Sequence, residues 1–479
     1  MNEKKRLIKN TALIAIGGLG AKVVSFLLLP LYTSILSTSE YGTYDFIITI
    51  GVFLLPVVTL VMHEAMFRFI IDLNKESKEF KKIISNAFFS VLAGIFLTVI
   101  VFAALYILLY RKDSILLIYI LGYVVTSSLY TFSNYLLRGL GEMKTYAAIS
   151  CFKNILQLVL NVVAVAVLRL GVKGLVLSLC ISEFIGFLVI LFTSKLWRYM
   201  DFRLVSRKEL KPMIKYSLPL IPNSLSSQVI HLSDRLIIMG IMNSSANGIY
   251  TVSYKFPNMI ETLYHYFYTA WSESASRVFA KGKEKALEYY QSLYNTLNRF
   301  IFSVVLTLIA GMPILFRIFI KGKFIDGFKY VPILVLSMYF DCMARFYSGI
   351  FTALKKTKVM ATTTIIAAVL NLGINIALIK YVGLYAAAGS TLIAEAVLCI
   401  LRQKRLKEYM DLKVSKIHIA LMITTTAIVV LLYDYNSVIK IACSLTFAIV
   451  FSFIYNFDTI KKMYIITLNK LKKKKLSEN

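Results

Sequence analysis

Apolar runs of about 20 residues recur along the whole chain, and this feature most constrains its fold. A helical run of that length spans the roughly 30 Å hydrocarbon core of a bilayer. Apolar residues make up 58% of the 479 residues, only 16% are charged, and the mean hydropathy is +0.71. The sequence therefore predicts an all-α polytopic membrane protein.

Fourteen transmembrane spans are predicted, at residues 10–36, 43–70, 83–110, 114–138, 144–168, 174–194, 214–240, 247–271, 291–318, 328–352, 359–380, 384–401, 416–433 and 437–457. The first apolar stretch continues past Lys22 without a clear cleavage site, so we expect a retained helix and not a signal peptide. Lys and Arg concentrate in the N-terminus, in every second loop and in the C-terminus. The positive-inside rule then predicts that both termini are cytoplasmic.

The net charge of +29 does not indicate nucleic-acid binding, because the cations lie in short clusters between apolar runs. Such clusters are typical of loops that face anionic lipid head groups. The five cysteines lie inside apolar segments without metal-ligand spacing. We expect neither a metal nor a cofactor.

An internal repeat divides the chain into two lobes. Residues Ser37–Tyr44 align with Asn243–Tyr250 at an offset of 206. At an offset of 214, Leu156–Asn161 aligns with Leu370–Asn375, and after a two-residue shift Gly171 and Glu183 meet Gly383 and Glu395. The order of these matches predicts pseudo-symmetric lobes of six helices each, at 1–194 and 214–401, joined by a cytoplasmic linker at 195–213 and followed by two further spans and a basic tail at 402–479.

Polar residues at helical spacing form stripes on three of the spans. Span seven carries Gln228, His231 and Arg235 on one face, and span eight carries Lys255, Asn258 and His265. The repeat aligns the span-eight stripe with span two, which carries Asp45, Thr49, Thr59 and His63. Polar contacts between packed helices would explain one such residue, whereas stripes that contain Arg and Lys favour a water-filled cavity.

Five cations inside the predicted spans are the candidate substrate-binding residues: Lys22, Arg68, Arg235, Lys255 and Arg345. A cationic lumen favours anionic cargo, and Arg and Lys both suit a diphosphate. Two of the arginines have a local alternative, because Arg68 can pair with Glu64 and Arg345 with Asp341. Carboxylates that are candidates for ion coupling are Asp45, Glu261 and Glu273. Pro56 and Pro257, inside spans two and eight, are interpreted either as bends that shape the cavity or as simple packing kinks.

The run Lys215–Pro222, followed by Ser233-Asp-Arg235 and Gly248-Ile-Tyr250, resembles the second-lobe opening of bacterial Wzx-type oligosaccharide flippases. The chain start, with Lys22, Pro30 and Glu40-Tyr-Gly42, resembles their first span and loop. These flippases are part of the multidrug/oligosaccharidyl-lipid/polysaccharide exporter superfamily, and the resemblance covers essentially the whole chain.

The resemblance implies a two-lobed transporter, not an enzyme, that works by alternating access in the bacterial cytoplasmic membrane. The implied cargo is an undecaprenyl-diphosphate-linked oligosaccharide destined for capsule, O-antigen-like or teichuronic-type polysaccharide. Implied partners are this lipid-linked cargo, the membrane lipids, a proton or sodium gradient and a polymerase.

Three alternatives stay open at this point. A lipid II flippase of the same superfamily differs mainly in cargo. A drug/cation antiporter would favour acidic residues for ion coupling and few unpaired cations in its lumen. A membrane glycosyltransferase or polysaccharide polymerase needs a sizeable outer loop, whereas the predicted outer loops at 37–42, 241–246 and 434–436 are short.

Overall fold

The computed structural model describes residues 26–71, 73–109, 114–458 and 460–461, and every regular element in this part of the chain is a helix. A helix satisfies all backbone hydrogen bonds within one segment, which lipid requires because it offers no partners. The predicted all-α membrane fold is confirmed.

The helices before residue 200 are α1 (Leu29–Ile35), α2 (Thr38–Val58), α3 (Met62–Ile70), α4 (Lys78–Leu109), α5 (Ser114–Gly139), α6 (Met143–Asn161) and α7 (Gly171–Thr193). A π-helical segment, Val162–Val167, extends α6. Helix α2 begins with a capping box, because the Ser37 hydroxyl accepts from the Glu40 N–H while the Glu40 carboxylate accepts from the Ser37 N–H.

The predicted second span is two helices. It breaks between α2 and α3, where Leu60 and Val61 both have positive φ, at 49° and 51°. Pro56 lies one turn before the break, in the last turn of α2. The chain thus breaks about one turn after Pro56, whereas the helix that contains Pro257 is continuous.

The predicted linker contains short 3₁₀ turns at Leu196–Tyr199 and Phe202–Leu204 and then helix α8 (Arg207–Ser217). The Ser206 hydroxyl accepts from the Lys208 N–H and so caps α8. Helix α9 (Leu220–Ile237) follows and continues as a π-helical segment, Ile238–Met242.

The remaining helices are α10 (Ser244–Phe279), α11 (Lys283–Phe319), α12 (Val331–Ala353), α13 (Thr357–Val382), α14 (Leu384–Leu406), α15 (Lys416–Leu431) and α16 (Val438–Tyr455). A 3₁₀ segment, Gly322–Tyr330, precedes α12. Each predicted span from the second to the fourteenth overlaps with at least one of the described helices. The first span lies mostly outside the described residues, and α1 covers its end.

Ten of the described helical segments are long and apolar enough to cross a membrane, and α15 is apolar but shorter. Helices α9 and α10, in predicted spans seven and eight, are not among these ten. Their polar stripes explain this, because each polar residue lowers the hydropathy of the segment. Helices α9 and α10 carry Arg235 and Glu261, which take part in the two charged clusters described below.

The chain divides into two compact units, Met1–Thr251 and Val252–Asn479, with the division inside α10. In the first unit α2 packs against α5 and α9, while α7 packs against α5 and α6. In the second unit α14 packs against α12 and α13, and α11 packs against α15 and α16. The predicted lobe boundaries stay a prediction.

Helices α7 and α14, which the repeat aligns, begin in the same way. Gly171 and Gly383 stand at their starts with φ of +55° and +59°, a backbone conformation that favours glycine. Both helices then pack between a pair of neighbours that the repeat also relates, α5 and α6 for α7 and α12 and α13 for α14.

Candidate functional site

The start of α2 lies directly against the start of α10, in a contact we term the glycine junction (Thr38–Gly42 with Ser244–Gly248). Two hydroxyl pairs and one amide cross it. Thr38 Oγ1 lies 2.6 Å from Ser245 Oγ, Ser39 Oγ lies 2.6 Å from Ser244 Oγ, and Asn247 Nδ2 donates to Gly42 O at 2.7 Å. The junction lies within the first unit and holds the helix ends together by short polar contacts.

Glycine permits this close approach on both helices. A Cβ on Gly42 would lie 1.9 Å from the Ser244 carbonyl oxygen, and a Cβ on Gly248 would lie 1.9 Å from the Thr38 carbonyl oxygen. Real Cβ atoms do not approach oxygen this closely, so any other residue at either position would force the helices apart.

The junction has the pseudo-symmetry of the repeat. At an offset of 206, Thr38 aligns with Ser244 and Ser39 aligns with Ser245. The hydroxyl pairs run crosswise between these positions, so each residue contacts the residue aligned with its neighbour. Such reciprocal contacts are those of an interface around a two-fold axis. The motif that reveals the repeat in the sequence is therefore the surface on which its two copies meet.

An ion pair lies one helical turn beyond the junction. Arg235 Nε, on α9, donates to Asp45 Oδ2, on α2, at 3.2 Å, and the two side chains are 8% and 19% exposed. The Arg235 guanidinium also lies over the Tyr250 ring, 5.4 Å from its centroid, and the Tyr250 hydroxyl donates to Asp234 at 2.9 Å. Two predicted residues, the cation Arg235 and the carboxylate Asp45, thus meet.

This pairing corrects one expectation. The sequence indicates no partner for Arg235 on its own helix, because the adjacent Asp234 points about 100° away. The structure supplies Asp45 from another helix, so the guanidinium is not an unpaired cation. A buried charge without a partner is costly, which explains why the carboxylate is present at this depth.

A second charged site lies in the second unit, around Arg345 on α12. Arg345 Nε donates to both carboxylate oxygens of Asp341 at 2.8 Å, and Nη2 donates to Glu261 on α10 at 2.8 Å. The alternative local pairing of Arg345 with Asp341 is therefore observed. Because the Arg345 side chain is still 31% exposed, it is held on one side by carboxylates and open on the other.

The other predicted cations do not share one environment. Lys255 is half-buried and Arg68 is exposed. Lys22 lies outside the described residues. Among the predicted ion-coupling carboxylates, Glu273 is exposed and pairs with Arg277 one turn along α10, as a surface ion pair does.

The predicted polar lining residues have different surroundings. Those that are half-buried are Thr49, His63, Gln228 and Asn258. Thr59 is buried, and its hydroxyl donates to the Leu55 carbonyl oxygen, whereas His265 is exposed. For His231 the backbone alone is described, within α9.

The sequence analysis missed Arg138, at the end of α5. Its guanidinium lies 4.8 Å from the Tyr135 ring centroid and 5.3 Å from that of Phe67, while His63 packs edge-on against Tyr135. The sequence contains a signal for the contact between Arg138 and Tyr135, because the two residues are three apart on one helical face. Arg138 adds a cation held by aromatic rings beside the predicted His63.

Comparisons with known proteins agree with this architecture. The family described as "Polysaccharide biosynthesis protein" matches residues 7–272, more than half of the chain. An uncharacterized membrane protein, MJ1375 of Methanocaldococcus jannaschii, is 25% identical over 300 residues, which cover 59% of this chain and 70% of the relative.

Solved structures with a similar fold include a lipid II flippase and a multidrug transporter. The lipid II flippase MurJ, in an inward closed conformation, has a TM-score of 0.68 at 18% identity, over 95% of this chain and 100% of the other. An inward-facing multidrug resistance MATE family transporter of the MOP superfamily has a TM-score of 0.63 at 16% identity, over 82% of this chain and 94% of the other. At these identities the likeness shows the fold. The predicted resemblance is confirmed, and the chain belongs to the polysaccharide biosynthesis protein family, with a polytopic membrane fold of the MurJ and MATE type.

Proposed function

We propose that the protein is a flippase that moves an undecaprenyl-diphosphate-linked oligosaccharide from the inner to the outer leaflet of a bacterial cytoplasmic membrane. The product is a surface polysaccharide of the capsule, O-antigen-like or teichuronic type. The observation that carries this proposal is that Arg235 and Arg345 lie within the helices of a membrane protein of a polysaccharide biosynthesis family. Charged side chains inside a membrane are costly and therefore rare, and they commonly mark substrate or ion pathways.

Ion pairs of this kind suit reversible binding of a diphosphate. Each arginine is held by carboxylates, Asp45 for Arg235 and Asp341 with Glu261 for Arg345. A phosphate oxygen accepts the same charge-assisted hydrogen bonds as a carboxylate oxygen. Cargo therefore exchanges with the carboxylates, and the guanidinium is never left without a counter-charge.

The glycine junction supports alternating access. In the predicted topology it lies at the outer side, where it closes the path to the outside. Its contacts include two hydroxyl pairs, one amide hydrogen bond and a close approach at two glycines. Such a contact opens without repacking a core, and the energy of its few hydrogen bonds, about 1 kcal/mol each, is within reach of cargo binding.

Complementation of a flippase-deficient strain tests the proposal. Lys22→Gln, Arg235→Gln, Lys255→Gln and Arg345→Gln should each reduce glycan export at least tenfold, with export measured relative to the amount of protein in the membrane. The matched control is Arg277→Gln, which removes an exposed cation from α10 and should export normally. Normal export by all four lumenal variants would refute the cationic-lumen assignment.

A lipid II flippase is the second candidate function, and the MurJ-like fold over 95% of the chain favours it above the remaining alternatives. The two cargos share the undecaprenyl diphosphate and differ in the sugar. Rescue of a strain depleted of its lipid II flippase, without rescue of polysaccharide export, would assign the protein to lipid II.

A further inference from the structure

Two glutamates that the repeat aligns are both buried within their helices. Glu183 stands twelve residues after Gly171 on α7, and Glu395 stands twelve residues after Gly383 on α14. The two residues are 7% and 8% exposed. A buried carboxylate needs hydrogen-bond donors or a counter-charge, so their surroundings can be compared directly.

Glu183 has both. The Ser127 hydroxyl donates to Glu183 Oε2 at 2.5 Å, the Thr126 hydroxyl donates to the same oxygen at 3.3 Å, and Lys153 Nζ lies 3.9 Å from Oε1. Hydroxyl donors and an ammonium stabilise the charged form of a carboxyl group. Glu183 therefore has three neighbouring groups that favour its charged form.

Glu395 lacks this arrangement. Its Oε2 is fully buried and has no hydrogen-bond partner among the described residues, where Glu395 also forms no ion pair within 4 Å. Arg402, two turns further along α14, donates to the neutral oxygens of Thr363, Thr364 and Ala344. Arg345 is already engaged by two other carboxylates.

The titratable groups that interact electrostatically with Glu395 come from three helices. They are Glu261 on α10, Asp341, Cys342 and Arg345 on α12, and Cys399 and Arg402 on α14. Tyr268 on α10 interacts with Arg402, and α13 contributes neutral threonines. With Glu395 ionised, this cluster has three carboxylates and two guanidiniums. Among these described groups the carboxylates outnumber the guanidiniums by one, and Glu395 Oε2 is the buried carboxylate oxygen that has no hydrogen-bond partner in the described part of the chain.

We propose that Glu395 is a proton-binding site of the transporter. A proton on this carboxyl offsets the excess of carboxylates among these groups and removes the charge from a buried oxygen that has no hydrogen-bond partner among the described residues. A metal ion is less suited, because no group of three His, Cys, Asp or Glu side chains with metal-binding geometry occurs among the described residues.

The proposed proton affects Arg345 through charge. When Glu395 is neutral, less negative charge surrounds the Arg345 guanidinium. An anionic cargo is then repelled less and replaces the carboxylates on Arg345 more readily. Linkage is reciprocal, so bound cargo also strengthens proton binding. This step rests on the proposed function, whereas the proton site itself does not.

Infrared spectroscopy of the full-length protein in lipid nanodiscs tests the site directly. The C=O stretch of a protonated carboxyl group is separate from that of a carboxylate and shifts in heavy water. At neutral pH we expect a band that decreases by one carboxyl group per chain in Glu395→Gln. The matched control Glu183→Gln changes the repeat-equivalent residue and should leave the band unchanged.

Several outcomes would overturn the inference. An unchanged band in Glu395→Gln shows that Glu395 is ionised, and loss of the band in Glu183→Gln instead assigns the proton to the first unit. If Glu395→Gln does not fold, Glu395→Asp keeps the carboxyl group and must shift the band. A saturable spectral change on adding sodium at constant pH, absent in the variant, would replace the proton by a sodium ion.

Export assays separate this inference from the proposed function. Glycan export by the unsubstituted protein should depend on pH, and export by Glu395→Gln should lose that dependence. A carboxyl band that behaves as expected in a protein that exports no glycan would keep the proton site and refute the flippase.

Discussion

Arg235 and Asp45 form an ion pair across 190 residues of sequence, with 3.2 Å between Arg235 Nε and Asp45 Oδ2. The pair joins α9 to α2 one turn beyond the glycine junction. The repeat aligns Asp45 with Thr251 and Arg235 with Leu29, so no second copy of the pair exists at the equivalent positions. The contacts of the glycine junction follow the pseudo-symmetry of the repeat, whereas the ion pair between Arg235 and Asp45 does not.

Loss of one partner of this pair should destabilise the protein. Asp45→Asn leaves the buried guanidinium without its carboxylate, and we expect a loss on the order of 3 kcal/mol in unfolding free energy. Chemical denaturation of the protein in detergent measures it. The double variant Asp45→Asn with Arg235→Gln should lose less than Asp45→Asn alone, since it removes both charges. Additive losses would show that the pair is not coupled.

The glycine junction should not tolerate a methyl group. In Gly42→Ala the new Cβ would collide with the Ser244 carbonyl oxygen, so the helix starts should separate and export should decrease about tenfold or more. Gly240→Ala is the matched control, because no atom lies within 4 Å of its added Cβ. Equal export by the two variants would argue against closure at Gly42.

A disulfide across the junction should trap it closed. The 2.6 Å between Thr38 Oγ1 and Ser245 Oγ brings the side chains within reach of a disulfide bond. In a chain without its five native cysteines, Thr38→Cys with Ser245→Cys should cross-link under oxidation and stop export, and a reductant should restore it. Single-cysteine variants are the controls. Full export with complete cross-linking would exclude alternating access at this contact.

The orientation predicted from Lys and Arg can be tested with reporter fusions. Fusions after Lys112, Lys173 and Lys380 should report an external location, and fusions after Lys82 and Arg203 a cytoplasmic one. The reason is the excess of cations in every second loop. Reporters active on only one side of the membrane measure it, and two reversed assignments would refute the topology.

Local patterns in the sequence were sufficient to predict most of the helical segments. Apolar runs predicted the helices, because a helix in lipid pairs its backbone groups within one segment. The pairing of Arg345 with Asp341 was also predictable, since residues four apart meet on one helix face. The capping box of Ser37 and Glu40 was equally readable from its spacing, although it was not predicted.

Only the tertiary structure shows which helices supply the partners of the charged residues. Periodicity shows that Asp45 and Arg235 each lie on a polar face, and it does not show that these faces meet. The same holds for Glu261 and Arg345, which are 84 residues apart, and for the unequal surroundings of Glu183 and Glu395. A 3.6-residue period specifies the direction of a side chain around its own helix, whereas its partner depends on how the helices pack, which no local pattern contains.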